Sequence, residues 1–221
     1  MATRIKGPLF ACLSCVGTLI LLMLVAYKLG FVERLDASLL VRVSSSPRTE
    51  ANTLAFGLAH LGDPLPMAVM LLAISGLAYR VGRRHEALAA VAVVAGANVT
   101  TQVLKVVLAH PRYQAYLGSP QPTSTAFPSG HATAAASIAV ALLIVAPGRL
   151  RLLAGAVGAV LLAVVGTSVV VIEWHYPSDV LGGMFVAAGS GFAALAALPL
   201  AAPRDTSPEV QPSSRFAISV K

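Results

Sequence analysis

The stretch LLAGAVGAVLLAVVGTSVVVI, residues 152–172, contains 21 residues and no charged side chain. About 20 predominantly apolar residues are needed for an α-helix to cross the hydrocarbon core of a bilayer. The stretch leads directly into EWHYPSD, residues 173–179, where a histidine stands four positions before an aspartate. The sequence therefore predicts a membrane-spanning helix that ends in polar side chains at one membrane face.

The rest of the chain has the same apolar character. Of its 221 residues 57% are hydrophobic and 11% charged, whereas a soluble domain carries about 25% charged residues. The apolar runs predict six membrane spans, at about 8–29, 64–80, 87–108, 131–147, 152–172 and 178–200. The predicted fold class is all-α, a polytopic six-transmembrane-helix bundle.

Two regions lie outside the predicted spans. Residues 30–63, between the first and second spans, mix polar and apolar side chains. From Leu54 to Leu61 the apolar positions have the amphipathic spacing of a helix lying at the membrane interface. Residues 1–203 are predicted to form a single domain, and the Pro- and Ser-containing segment 204–221 a disordered cytoplasmic tail.

Basic residues indicate how the bundle is oriented, because Lys and Arg concentrate in cytoplasmic loops. With both termini inside, ten of the 16 Lys and Arg residues lie on the inner side, five of them in the short connections 80–84 and 149–151. We therefore expect a multi-pass protein of the cell membrane with both termini cytoplasmic. In such a protein the net charge of +7 reports orientation, and no nucleic-acid partner is predicted.

The two cysteines, Cys12 and Cys15, lie inside the first apolar run. Their CxxC spacing occurs in redox and metal sites, but no second Cys or His pair accompanies it. Because a buried free cysteine behaves as a small hydrophobic side chain, a packing role is favoured.

The segment Pro128-Ser129-Gly130-His131 opens the fourth predicted span. Pro128 disfavours helix before it, and Ser129 is a good N-cap. The first N–H groups of the helix are then free to bind an anion, which Gly130 allows to approach closely. His131 can reach the same anion as a proton donor. The alternative is a plain helix start with an interfacial histidine.

The segment from His175 to Asp179 lies 44 positions beyond His131, enough for one crossing inward and one outward. Pro177 suits the first turn of a helix, so the chain turns just after His175. Asp179 can then hold one ring nitrogen of His175 and leave the other as a nucleophile. The alternative is a His–Asp pair that caps a helix.

Lys105 and Arg112, seven positions apart, follow the third span as it leaves on the same side. They supply fixed positive charge, and the guanidinium of Arg112 is a planar fork suited to phosphate oxygens. The alternative for Lys105 is snorkelling at a helix end. No His, Asp and Glu cluster has the spacing of a metal site, so no metal or cofactor is predicted.

Together these residues resemble the type 2 phosphatidic acid phosphatase family, whose motifs are K-x6-R-P, P-S-G-H and S-R-x5-H-x3-D. The resemblance covers about Leu35 to Leu200. It implies that His175 is the nucleophile that forms a phosphohistidine, with Asp179 as its orienting partner. It implies that His131 protonates the leaving lipid oxygen, without a metal. The phosphate would be held by Lys105, Arg112, Ser129 and Gly130.

Three positions depart from the motifs. Tyr113 stands in place of the proline, and Val169 in place of the third-motif arginine, which grips the phosphate in the family. Loss of such a clamp removes about 2–4 kcal/mol of transition-state stabilisation. Glu173 follows four residues after Val169, and we expect it on the same helical face, where it repels phosphate or engages Lys105 or Arg112.

The sequence thus predicts a membrane-embedded lipid phosphate phosphatase with its active site on the outer, periplasmic or extracellular, face. Its partners are the bilayer and a lipid phosphate, such as phosphatidate, phosphatidylglycerol phosphate, or a polyprenyl phosphate or diphosphate. One alternative is a catalytically weak or silent relative that binds or moves phospholipid, which the Val169 and Glu173 departures favour. Another is phosphoryl transfer to an acceptor other than water.

Overall fold

The computed structural model describes residues 2–44, 49–109 and 122–201, and every regular element in these ranges is helical. The α-helices are α1 (Ala2–Lys28), α2 (Gly30–Ser44), α3 (Thr49–Ala59), α4 (Pro64–Arg80), α5 (Arg84–Val107), α6 (Gly130–Val145), α7 (Arg151–Val171) and α8 (Pro177–Ala201). Short 3-10 turns occupy His60–Gly62 and Gly148–Leu150. The predicted all-α class is confirmed. Arg112, Tyr113 and the predicted disordered tail lie outside the described residues.

Within the described ranges, four helices are long and apolar enough to cross a membrane: α1, α5, α7 and α8. The segments Asn52–Gly62 and Pro64–Arg80, bent by 53° at their junction, make a fifth candidate span. Helix α6 is apolar but has 16 residues, fewer than the roughly 20 that a full crossing needs. Four to five spans are therefore supported, and the sixth stays a prediction.

The segment predicted to lie at the interface forms two helices, α2 and α3, followed by the 3-10 turn. Helix α2 reaches the bundle through a cluster in which Ala37 and Leu40 pack against Val170 and Tyr176. The buried carboxylate of Asp36 also accepts hydrogen bonds from the N–H and the hydroxyl of Ser178. Because the first N–H groups of a helix have no intrahelical acceptor, Asp36 holds the start of α8 in place.

Helix α6 lies at the centre, packed against α4, α5, α7 and α8. Small residues permit this close approach, as they do in other membrane bundles. A Cβ added to Gly158 on α7 would lie 2.6 Å from the Cβ of Ala139. A Cβ added to Gly183 on α8 would lie 2.7 Å from the carbonyl oxygen of Ser129 and 2.8 Å from the backbone nitrogen of Thr133. Helix α8 therefore rests directly on the backbone that opens α6.

The substitution Gly183→Ala is expected to lower stability by about 1–3 kcal/mol, because the backbone of α6 must shift to admit the methyl group. Thermal unfolding of the purified protein in detergent measures the effect. The matched control is Gly96→Ala on α5, where an added Cβ meets nothing within 4 Å. Since alanine favours helix over glycine by about 1 kcal/mol, the control is expected to be neutral or stabilising. Equal loss in both variants would contradict the close contact.

Candidate active site

Three polar segments meet at one end of the bundle, as the predicted topology requires. Lys105 lies in the last turn of α5, and the first turn of α6 carries Gly130 and His131. The connection between α7 and α8 carries His175, and Asp179 lies in the first turn of α8. The described residues among those predicted from sequence thus converge, although they come from different loops.

Ser129 caps α6 as predicted. Its hydroxyl accepts a hydrogen bond from the N–H of Ala132 at 3.3 Å. Its own N–H donates to the carbonyl oxygen of Asp179 at 2.9 Å, which joins the starts of α6 and α8. The Ser129 side chain is fully buried, so its contribution is to shape the helix end. The N–H groups of Gly130 and His131, in the first turn, have no intrahelical acceptor and remain suited to an anion.

His175 and Asp179 form the predicted pair at the start of α8. The Nδ1 atom of His175 lies 3.5 Å from Oδ2 of Asp179, just beyond hydrogen-bond distance. The Asp179 carboxylate is fully buried and also accepts the N–H of Tyr176 at 2.8 Å. Since Nδ1 faces the carboxylate, Nε2 is the nitrogen left for chemistry. Catalytic hydrogen bonds are often long before substrate binds, so this geometry fits an orienting partner.

The two histidines are neighbours in space. The ring centroids of His131 and His175 are 6.3 Å apart, close enough to flank one phosphate group. Lys105 lines a cleft beside His131 and a smaller one beside His175. A Cβ added to Gly130 would lie 3.7 Å from Cε of Lys105, an ordinary van der Waals distance, so the lysine side chain lies directly against the start of α6. Lys105 therefore brings a positive charge to both clefts at the start of α6.

Val169, which replaces the motif arginine, is fully buried beneath the turn that carries His175. Its carbonyl oxygen accepts the N–H groups of Trp174 at 3.0 Å and His175 at 3.2 Å. The backbone of this position therefore shapes the turn. Its side chain supplies no positive charge.

The expectation that Glu173 shares a helical face with Val169 is wrong. Helix α7 ends at Val171, and Glu173 adopts a positive φ of 62°. The N–H of Glu173 donates to the carbonyl oxygen of Val170, and the N–H of Trp174 donates to the carbonyl oxygen of Val169. These two hydrogen bonds are typical of a helix that ends in a left-handed residue. Glu173 nevertheless lines the smaller cleft together with Lys105 and His175. It therefore places negative charge in the same cleft as Lys105 and His175 by another route.

Glu173→Gly is expected to stabilise the protein by about 1 kcal/mol, because glycine adopts the left-handed conformation without steric cost. Glu173→Gln retains that cost and removes only the charge. It is expected to leave thermal stability unchanged and to strengthen binding of orthovanadate, a phosphate analogue, about two- to fivefold, the scale of an exposed charge pair. Thermal unfolding and a binding titration measure the two effects. If the glutamine variant were more stable than the wild type, the charge of Glu173, and not its left-handed backbone, would be what destabilises this turn.

Two residues of the site were missed by sequence reasoning, which placed Asp63 only in the polar segment 30–63. One carboxylate oxygen of Asp63 lies 3.1 Å from Nε2 of His131, and the other lies 2.7 Å from Nδ1 of His60. The sequence did contain a pattern that could have indicated these residues, His60-x-x-Asp63-Pro64. In it an acidic residue stands just before a predicted helix start, on the same predicted side of the membrane as His131.

Aromatic rings enclose this part of the site. The Trp174 ring centroid lies 5.4 Å from that of His131 and 6.0 Å from that of His60. Phe56 lies against both His60 and Trp174. The loop that carries His175 is therefore packed on the segment that carries Asp63.

Comparison with solved structures shows the same fold in a membrane enzyme. The chain is similar to the crystal structure of a transmembrane PAP2 type phosphatidylglycerolphosphate phosphatase from Bacillus subtilis, with a TM-score of 0.71 and 20% sequence identity. The match covers 84% of this chain and 94% of that one. At this identity the likeness concerns the fold, and it supports a multi-pass membrane protein.

Comparison with curated proteins found no match. The family model of the PAP2 superfamily matches residues 86–201, more than half of the chain. The matched range contains the residues of all three motifs, from Lys105 to Asp179. The chain therefore belongs to the PAP2 superfamily.

Proposed function

We propose that this PAP2 protein is a lipid phosphate phosphatase that hydrolyses a phosphomonoester or diphosphate of a lipid through a phosphohistidine, without a metal. The observation that carries the proposal is the pair of histidine rings 6.3 Å apart, with Asp179 behind His175 and Lys105 beside both clefts. These groups supply a nucleophile, an acid and positive charge in one place, which is what phosphoryl transfer requires.

In the first step, Nε2 of His175 attacks phosphorus and the bond from phosphorus to the lipid oxygen breaks. His131 gives its proton to that oxygen, and the lipid alcohol leaves. In the second step, His131 takes a proton from water as the water oxygen attacks the phosphohistidine. Phosphate departs and His175 is restored. Lys105 and the first N–H groups of α6 stabilise the charge on the phosphoryl oxygens in both steps.

The cleft beside His131 supports a lipid as substrate. It has a volume of about 440 Å³ and lies between α4, α5 and α6. Its polar end holds Lys105 and Gln102, whereas Met67, Leu71 and Val94 form apolar walls. A charged head group and an acyl or prenyl chain fit such a lining. We place this end of the bundle at the outer leaflet, on the orientation that the basic residues indicate.

Phosphate release by detergent-purified protein tests the proposal. The panel is phosphatidate, phosphatidylglycerol phosphate, and a polyprenyl phosphate and diphosphate, each assayed with a metal chelator. His175→Ala serves as the blank, and His85→Ala, an exposed histidine at the start of α5, as the matched control. Release by the wild type and the His85 variant, but not by the blank, is the expected result. No release above the blank on any lipid would refute the proposal.

A second candidate is a silent relative that binds or moves phospholipid. It is favoured by Val169 in place of the motif arginine and by Glu173 in the cleft with Lys105 and His175. The same preparation decides between the two. Saturable binding of labelled phosphatidate without phosphate release would support the silent relative.

A further inference from the structure

The carboxylate of Asp63 bridges two imidazole rings. Its Oδ2 lies 2.7 Å from Nδ1 of His60, three residues earlier, and its Oδ1 lies 3.1 Å from Nε2 of His131, 68 residues later. The histidine expected to protonate the leaving group thus has a carboxylate partner, as does the expected nucleophile. Asp63 and His60 lie outside residues 86–201, which the PAP2 family model matches.

The backbone enforces this contact. Asp63 follows the 3-10 turn, where its N–H bonds to the carbonyl of His60 at 3.1 Å, and Pro64 then begins α4. A Cβ on Gly62 would lie 2.9 Å from both Cβ and Cδ2 of His131. Only glycine lets this segment approach the His131 ring so closely. Trp174 also contacts that ring, so its orientation is set by packing as well as by the carboxylate.

The hydrogen bond selects a nitrogen. An ionised Asp63 accepts the proton of Nε2, so Nδ1 of His131 is left to exchange protons with the leaving oxygen and with water. A carboxylate at this distance also favours the doubly protonated ring, which is the form that can donate. His60 contacts the other oxygen of the same carboxylate, so the carboxylate is held from both sides.

Other charges also act on His131. Burial of the ring disfavours its protonation, and so do Lys105 of α5 and His175 when charged. Asp179 of α8 lies behind His175. Glu173 lines the neighbouring cleft with Lys105. Asp63 is the carboxylate in direct hydrogen-bond contact with His131.

We propose that Asp63, held by His60, is a positioning residue that orients His131 and stabilises its doubly protonated, proton-donating form. This role rests on the proposed phosphatase function. It extends the site to a segment outside the three motifs.

The test is Asp63→Asn in the full chain, assayed on phosphatidate across pH. The amide keeps the size of the side chain and removes its charge. We expect kcat to fall about 10- to 100-fold, part of the 10²–10⁴-fold that general acid catalysis contributes, with KM changed less than about threefold. We also expect the alkaline limb of the pH–rate profile to move to lower pH, because the ring loses its proton more easily. Glu33→Gln, a half-buried acid on α2, is the control and is expected to behave as wild type.

A double variant separates positioning from general structural damage. In a His131→Asn background, Asp63→Asn is expected to change the residual rate less than about twofold, since both act on one proton transfer. The proposal would be overturned if Asp63→Asn still lowered the rate in the His131→Asn background. It would also be overturned if the single variant lost activity without a shift of the alkaline limb of its pH–rate profile. An active wild type whose rate is insensitive to Asp63→Asn would overturn it as well.

The experiment also distinguishes this proposal from the phosphatase function itself. If the wild type releases no phosphate, the proposed function fails. An NMR titration of the imidazole of His131, assigned with His131→Asn, then decides the role of Asp63. We expect Asp63→Asn to move the midpoint of that titration to lower pH, and an unchanged midpoint would overturn the role.

Discussion

His175→Ala is expected to reduce phosphate release by at least about 10⁴-fold, the scale on which loss of a nucleophile is felt in other covalent enzymes. Alanine removes the atom that attacks phosphorus, and the described site offers no second nucleophile in the same position. Asp179 would remain buried opposite an empty space. Because Lys105 and the start of α6 remain in place, binding of the lipid is expected to change little.

Acid- or base-quenched reactions with ³²P-labelled phosphatidate measure this effect. A phosphohistidine is stable to base and labile to acid, so label is expected on the wild type after a base quench and absent from the variant. His85→Ala, at the far end of α5, controls for loss of a histidine as such and is expected to label as wild type. Labelling of His175→Ala would assign the nucleophile to another residue.

Val169→Arg is expected to raise kcat/KM by about 30- to 1,000-fold, which corresponds to about 2–4 kcal/mol of transition-state stabilisation. The PAP2 motif has an arginine at this position, and its guanidinium can bind two phosphoryl oxygens at once. The position lies at the end of α7, directly before the turn that carries His175. The natural valine leaves Lys105 to supply positive charge without that clamp.

Val169→Met is the control, because methionine is also longer than valine and carries no charge. Both variants add volume at a fully buried position and strain the packing there, but methionine brings no guanidinium, so it is expected to leave the rate unchanged or to lower it. Combination with Glu173→Gln tests whether the new guanidinium is captured by the glutamate. If Val169→Arg leaves the rate unchanged in both backgrounds, while unfolding shows an intact protein, the missing-clamp explanation is wrong.

The long apolar helices could be read from the sequence. The spans predicted at 87–108, 152–172 and 178–200 correspond to α5, α7 and α8 within about three residues at each end. Long apolar runs with at most one charged residue form helices in a bilayer, because every backbone polar group must then find its partner within the helix. The N-cap at Ser129 and the helix start at Pro177 were predictable for a similar reason, since both depend on local chemistry.

The segment around Glu173 was not predictable from periodicity. Its apolar neighbours continue the helical pattern, yet the chain leaves the helix at Val171 and turns through a left-handed residue that is not glycine. The conformation of this turn is set by tertiary contacts. It brings His175 to Asp179, and it packs Trp174 on Phe56 and His60. Such contacts come from distant parts of the chain and outweigh local preference.

The sequence by itself determined the all-α membrane fold, the family and the motif residues on one side of the bundle, because hydropathy, helix caps and short motifs are local. Only the tertiary structure decided which groups touch. It showed His131 beside His175, Lys105 between two clefts, and Asp63 bonded to a histidine 68 residues away. The physical reason is that such distances depend on how closely helices pack. In this protein, glycines at positions such as 62 and 183 set that packing, and their spatial neighbours cannot be read from the order of residues.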